Sequence, residues 1–560
     1  GLTAAGTPGG RAGARLIPLE AVAQYEVLIA PFDTRLSGFT GGVMNAVTRT
    51  GTNRWEASGF AYLRNPALTG DLTIPGFTVE PSGVSRDLYG FSLGGPLLRD
   101  KLHFFVAGEF EQRGQPPNGF NLGRDNPILT RVSQGTIDSL SIAFGSTYQL
   151  DIGDASDYVL ERTVGNVFAR LDWRINRQHR VSVRHVFAGA DDDAVPNRTA
   201  FESYELSSNT VDLSSRSYAT TLQALSTFGA WSNEAHATVQ TVSDASTPRA
   251  TWPQVEVETH SALGGLGVNR SVRIGSRYSS QADDLKQKTL LLSDVLSAEW
   301  GEHTTTFGIS AARYSIDQLY LPGSAGYYRF GSIGAVSNNT PLYYERSLLA
   351  EGQPSRIAFD VWELAGHVQD ELRATDQLTL TYGLRLDVPV LPVRPDENLD
   401  VQRLFGKSTN VVPTRQLLFS PRLGFRWQSD GDRITQVRGG MGLFLGRPPL
   451  VWLANAYANT GLRNTTLVCD GGPNVDGNGS DNRAPFFDPR APPTTCVAST
   501  PASLRRAVTL FDENFQFPQD IKVSLGVDRQ ITDRLSASLG FIFSRALNQV
   551  FVEDVNIGPA

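Results

Sequence analysis

The chain has 560 residues, 40% of them hydrophobic, with a mean hydropathy of -0.21 and a net charge of -7. This is too long for one ordinary soluble core unless that core is a large barrel or a repeat. No run of about 18 apolar residues is present, which excludes a transmembrane helix but not transmembrane strands, and the positive charge, nearly all Arg, forms no basic patch of the kind a nucleic-acid partner needs.

Residues 1–15 are rich in Gly, Ala and Arg and read as a loop. Ile17–Ile29 reads as a short element, with Pro18 and Glu20 suiting a helix start and Tyr25–Ile29 suiting a strand. Phe32–Asn53 follows, packed with small residues: Gly38, Gly41, Gly42 and Gly51, with Ser37 and Ala46 between. A short β-like run, Val43–Val47, which includes Asn45, is followed by Arg49 and a turn at Gly51-Thr52-Asn53.

From Arg54 the pattern becomes strict alternation. In Gln377–Asp387, Leu378, Leu380, Tyr382, Leu384 and Leu386 take one face, and Thr379, Thr381, Gly383, Arg385 and Asp387 take the other. Asn166–Ile175, Ile521–Asp528 and Leu535–Phe543 repeat it. Period two means strands with one apolar and one polar face. Alternation does not say which face is inside, since a soluble sandwich buries the apolar face and an outer-membrane barrel turns it to lipid.

The connections decide between these. Short polar ones fall near 99–100, 176–178, 230–233, 301–303, 374–376, 429–432 and 532–533. Long ones fall near 66–85, 114–162, 190–214, 243–284, 320–355, 389–415 and 447–513. Short and long alternate without a break, the rhythm of periplasmic turns and extracellular loops. Aromatic residues recur near the short-turn ends (Phe104, Phe105, Trp173, Trp231, Trp300, Trp427), as in an interfacial girdle. The expected fold is all-β: an antiparallel outer-membrane barrel with about fifteen strands present. An odd count, together with a start at Gly1 and an end at Ala560, reads as a piece of something longer.

Several segments then carry a family resemblance. Phe39–Asn53 (FTGGVMNAVTRTGTN), Phe91–Leu97 with Asp100–Phe105, Leu378–Asp387, Ser420–Phe425 and Val437–Gly442 resemble, in order, segments of TonB-dependent outer-membrane transporters of the Oar-like branch. The resemblance implies a division into residues 1–53, the C-terminal end of a plug domain, and 54–560, part of a barrel of twenty-two strands. Gly41, Gly42, Asn45, Arg49, Gly51 and Asn53 would form the plug–barrel junction. It also implies the TonB energising complex as a partner, acting through an N-terminal part outside this chain, and outer-membrane lipid or lipopolysaccharide around the wall. The implied function is energy-coupled uptake of a bulky solute such as a glycan, peptide or metal chelate. The alternative is a structural, adhesion or export-related barrel without TonB-driven uptake. A soluble propeller or sandwich hydrolase agrees poorly with the loop rhythm.

The chemistry-bearing residues point away from catalysis. The seven His are dispersed, and no local motif pairs one with a nucleophile. Asp476–Asp481 begins like a calcium loop, but Asp481 stands where Gly is wanted and Phe487 where Glu is wanted; no metal or other cofactor is expected. Asp191-Asp192-Asp193 reads as a solvated acidic loop. Cys469 and Cys496, the sole cysteines, lie in one polar stretch and suggest a loop-closing disulfide and an oxidising compartment. Tyr327, Tyr328, Tyr343, Tyr344, Trp452 and Tyr457 are candidates for stacking on a ligand above the barrel mouth, with loop-on-loop packing the competing reading. The polar strand faces carry Arg170, Asp172, Arg174, Arg385, Asp387, Arg422 and Arg426, expected to pair with one another or hold the plug, and Arg49 is expected to pair with a carboxylate in the lumen.

Overall fold

Alternation makes each strand two-faced, and two-faced strands joined by tight turns build a meander. The computed structural model describes residues 11–556 apart from 30, 70–71, 75–76, 80–83, 118, 120, 123–131, 157, 195–197, 199–202, 264–265, 431–433, 448, 471–481 and 498–502. An N-terminal hairpin pairs β1 (Val22–Leu28) with β2 (Val43–Thr48). There follow β3 (Glu56–Arg64), β4 (Leu72–Ile74), β5 (Phe77–Val79), β6 (Ser85–Leu98), β7 (Leu102–Gln115), β8 (Leu160–Arg174), β9 (His179–Ala194) and β10 (Ser203–Glu205). Next come β11 (Val211–Phe228), β12 (Trp231–Pro248), β13 (Gln254–Leu263), β14 (Leu266–Ile274), β15 (Asp283–Trp300), β16 (His303–Tyr320), β17 (Tyr327–Phe330) and β18 (Tyr343–Leu349). The chain continues with β19 (Arg356–Arg373), β20 (Leu378–Val390), β21 (Leu418–Gln428), β22 (Thr435–Leu445), β23 (Asn464–Cys469), β24 (Ser503–Arg505), β25 (Gln519–Thr532) and β26 (Leu535–Asn548).

Fifteen of these form one antiparallel sheet in chain order, with β3 and β26 at its two edges. Its strands reach 18 residues, and every long connection lies at one end of the sheet. The short turns at the other end use left-handed backbone where the reversal demands it: Asp100 (φ 63), Gly229 (φ 64) and Gly301 (φ 60).

The two faces of the sheet are inverted relative to a soluble protein. Ile309 is 68% exposed, and Tyr382, Leu384, Leu423, Met441 and Leu525 are exposed on the same outer surface. The inner face buries Arg385, Arg422 at 3% and Lys522 at 3%. Apolar side chains left in water forgo roughly 25 cal/mol per Å² of burial, so this polarity is stable only where the outer surface meets hydrocarbon. Trp173, Trp231 and Trp300 are exposed at the short-turn end of that surface. Phe105 departs from the expected girdle. It faces inward, 6% exposed, in a cluster with Ala21, Ala107 and Phe168, because alternation gives Phe104 and Phe105 opposite faces.

A second sheet was not legible in the sequence. Strands from four different long connections join as β10-β14-β13-β17-β18-β23-β24. One face of it, with Val255, Val257, Val272, Tyr328, Phe330 and Tyr344, packs with the helix Gln134–Tyr148 and with Phe487 into the largest apolar core among the described residues. The long loops are thus a folded cap. Cys469 and Cys496 are disulfide-bonded in its core, with Cα atoms 5.7 Å apart.

Candidate functional site

The register of the wall places the N-terminal segment inside it. Arg11 pairs with Asp283 (2.7 Å) at the long-loop end of β15, and Ala12 N–H donates to Ser215 Oγ (3.0 Å). Arg162 donates to the Gly13 carbonyl (2.7 Å), and Arg15 pairs with Glu111 (2.8 Å). The chain then descends, so that Ala21 packs against Phe105 and Phe168 near the short-turn end. β1 rises again, residues 31–41 climb the inner wall of β19–β25, and β2 descends to the corner at 51–53.

Residues 31–41 are the most closely held part. Arg422 donates to the backbone carbonyls of Pro31 and Asp33, and Arg385 donates to that of Thr34 (3.3 Å). Lys522 donates to those of Ile29 and Gly41. Gln369 Oε1 accepts from Thr34 N–H (2.9 Å), and Ser37 Oγ donates to Asp387 (3.3 Å). Carbonyls that a sheet would have paired are thus satisfied by buried cations. Phe444, fully buried, is the apolar centre: Phe32 and Phe39 pack on it at 6.1 and 5.8 Å, and the Arg422 guanidinium lies 4.6 Å from its ring centre.

Close approach requires missing side chains on the wall. A Cβ at Gly440 would stand 2.6 Å from the Phe32 ring, and one at Gly383 would stand 2.7 Å from Thr34. Within the segment, Arg35 hydrogen-bonds Asp33. Burial alone would raise the Asp33 carboxyl, but the Arg35 guanidinium outweighs it and holds the carboxyl below the usual range.

The junction residues divide by role. Gly51 lies against β7, where a Cβ would meet the Phe104 carbonyl at 2.2 Å. Asn53 accepts from Asp100 N–H (2.8 Å), donates to the Asp100 carboxylate, and its Oδ1 lies 2.8 Å from His103 Nε2. Gly42 approaches the Leu28 carbonyl across the hairpin, and Gly41 supplies the carbonyl that Lys522 holds. Asn45 is exposed opposite Glu26 on β1. Arg49 has a carboxylate neighbour, though not one on the wall. Its carboxylate is Glu20 (3.7 Å), just before β1, which also accepts from Ser58 Oγ. The hairpin geometry brings Arg49 back beside Ala21, whose carbonyl accepts its N–H, and so beside Glu20. Asn53→Ala removes the hydrogen bonds that tie the corner to the 99–101 turn. The expected cost is about 1–2 kcal/mol, read as faster amide exchange at residues 51–55.

Of the inner-face charges, Arg170 pairs with Asp172 (2.7 Å) and reaches Thr48 Oγ1 (3.0 Å), and Arg385 pairs with Asp387 (2.9 Å). Arg174 and Arg426 are exposed. Reasoning from the sequence missed Phe444 and Gln369, and the role of Lys522. The available signal was a lone Lys on the polar face of an alternating strand.

The candidate ligand rings are placed differently from one another. Tyr328 and Tyr344 are fully buried in the cap core, and Tyr457 stacks on Phe359 at 4.4 Å, so these three present no free face. Trp452 is half-buried against the core around Phe359. Tyr327 and Tyr343 are half-buried on the opposite face of the cap sheet, their hydroxyls donating to Glu256 (3.0 Å) and Glu345 (2.5 Å). Burial, joined by these carboxylates, pushes both phenols above their usual range. The stretch 476–481 lies outside the described residues.

A sheet with a lipid-type exterior, a charged interior and an N-terminal segment bound inside it defines an outer-membrane β-barrel protein. The chain belongs to the outer membrane beta barrel domain family, whose sequence model matches residues 47–123 and 130–560. It is 28% identical over 173 residues, 30% of the chain and 16% of the relative, to the TonB-dependent transporter Oar of Myxococcus xanthus. Among solved structures it resembles the outer membrane transporter YddB from Escherichia coli (TM-score 0.57, 10% identity, 94% of this chain and 56% of that one). It also resembles the siderophore receptor PirA from Acinetobacter baumannii (TM-score 0.52, 15% identity, 94% of this chain and 58% of that one). The chain therefore spans about a sixth of that curated relative and under two thirds of these structures. Its place is the bacterial outer membrane.

Proposed function

We propose that the protein is a TonB-dependent receptor that takes up a bulky solute, a glycan, peptide or metal chelate, across the outer membrane. Residues 1–53 are the end of its plug, and 54–560 are wall and loops of a barrel of twenty-two strands. The open edges at β3 and β26 support further strands between them. The observation that carries the reading is the grip of Arg385, Arg422 and Lys522 on the backbone of residues 29–41. Such a grip keeps the interior closed at rest, so passage of a solute requires work on the plug, and TonB supplies it from the periplasm through the part of the protein that precedes this chain. Solute meets the cap and the turn at residues 38–41, which stands at the long-loop end beside Gly446.

The test is solute-dependent growth and uptake by cells carrying the full-length gene, with and without the TonB complex. Uptake is expected to vanish without TonB. Unchanged uptake would overturn the proposal in favour of a structural or export-related barrel.

A further inference from the structure

The short-turn end of the sheet is charged unevenly. β3, β6, β7, β8 and β9 are neighbours in it. The corner and the two turns that serve these strands carry Arg54, Arg99, Lys101, Arg174, Arg177 and Arg180. All six are exposed, and none has a carboxylate within salt-bridge distance among the described residues. The fold gathers them: Asn53, beside Arg54, accepts from Asp100 N–H (2.8 Å), and Arg174 N–H donates to the Lys101 carbonyl (2.7 Å). No run in the sequence announces the patch, because its members come from three separated segments of a chain whose net charge is -7. The later short turns are mixed, with Glu302, Asp376, Asp430 and Asp533 standing among Arg373 and Arg534.

The patch is not neutralised from within. The register sets Arg174 directly opposite Arg180 on the inner face of β8 and β9, and like charges so placed repel. Asp172 stands diagonal to Arg180, but it gives both oxygens to Arg170 (2.7 and 2.8 Å). Asp100, which accepts from Asn53 Nδ2 (2.5 Å), and Glu56, 3.5 Å from Thr52 Oγ1, leave the six cations in excess. A lipid headgroup does not fit the arrangement. At the height of Arg174 the outer face carries Trp173 and Ile175, both exposed, while Arg174 and Arg180 face the mouth of the lumen. The N-terminal segment does not cover the patch either, since Arg11 is bound to Asp283 at the opposite end and Arg49 to Glu20 (3.7 Å).

We infer that this sector of the short-turn end is a docking surface for an extended acidic segment of a periplasmic protein. Charge complementarity selects the occupant, and the inward parity of Arg174 and Arg180 selects a polypeptide crossing the mouth over a lipid beside the wall. Neighbouring strands stand about 4.8 Å apart, so the five strands span about 19 Å, the reach of about six extended residues. Carboxylates along such a segment lie on the turn tips and relieve the repulsion between Arg174 and Arg180. This inference rests on residence in the outer membrane and not on TonB-driven uptake.

The full-length protein in nanodiscs of zwitterionic lipid, titrated with fluorescent hexaglutamate, with hexaglutamine and with dihexanoyl phosphatidylglycerol, tests it. Hexaglutamate is expected to bind in preference to both other probes. Arg174→Gln, Arg177→Gln and Arg180→Gln are each expected to weaken that binding about twofold to fivefold. Arg373→Gln with Arg534→Gln, among the mixed turns, is expected to change nothing. Raising the salt is expected to weaken hexaglutamate binding to the unaltered protein, a readout that needs no variant. Equal affinity for the two peptides, binding insensitive to the three substitutions, or indifference to salt would each overturn the proposal. Tighter binding of the phosphatidylglycerol than of hexaglutamate would assign the surface to lipid and overturn it as well.

Discussion

Phe444→Ala is expected to release residues 31–41 from the inner wall while the wall strands stay paired. Phe444 is fully buried and is the surface on which Phe32, Phe39, Arg422 and Lys522 converge. Truncating such a ring costs about 3–5 kcal/mol, through lost transfer energy and the cavity left behind. That loss falls on the segment, because the backbone pairing of β22 with β21 and β25 does not use the ring. Amide exchange in residues 31–41 is therefore expected to accelerate by about two to three and a half orders of magnitude, the factor that such an energy sets. Exchange in β20–β22 should stay as it was. Uniform acceleration in both would show that the ring holds the wall and not the segment.

Arg422 adds a contrast. Its guanidinium serves the carbonyls of Pro31 and Asp33, yet Nε and Nη2 are buried with no hydrogen-bond partner among the described residues. A buried cation so placed stabilises the wall little and holds the segment by its direction. Arg422→Met should thus leave the wall intact and still free residues 31–33.

The second large effect belongs to the cap. Reduction, or Cys469→Ser with Cys496→Ser, is expected to release residues 482–497 and open the cap core. The bond closes a separation of 27 residues. Chain entropy alone assigns such a closure about 3–4 kcal/mol. The closed segment carries Phe487, 3% exposed, whose ring packs edge-on against Tyr148 (4.9 Å) and Tyr328 (5.1 Å). Its backbone also receives Asn339 and Tyr344 hydrogen bonds. Limited proteolysis should then cut within 482–497 at least tenfold faster, with no change in the heat resistance of the barrel in detergent. Protection that survives reduction would mean that Phe487 and its neighbours hold the segment unaided.

The sequence alone determined the wall. Period-two alternation set the two faces of β8, β20, β25 and β26, and the alternation of short and long connections set the end to which each loop belongs. The decision for lipid outside followed from that rhythm, and the exposed Ile309 opposite the buried Arg422 agrees with it. These are local signals: a strand's pattern and a turn's length act over a few residues. Gly51 and Asn53 were legible as a corner for the same reason. What only the tertiary structure decided involves partners far apart in the chain. Phe32 reaches Phe444, and Lys522 reaches Gly41. Arg49 turns to Glu20 because β1 and β2 pair. The cap is the clearest case, since the parity that sets Tyr327 on one face and buries Tyr328 on the other has meaning only once strands from four loops have met. No local pattern encodes that meeting: the free energy that favours it comes from a core that exists only when all its parts are present.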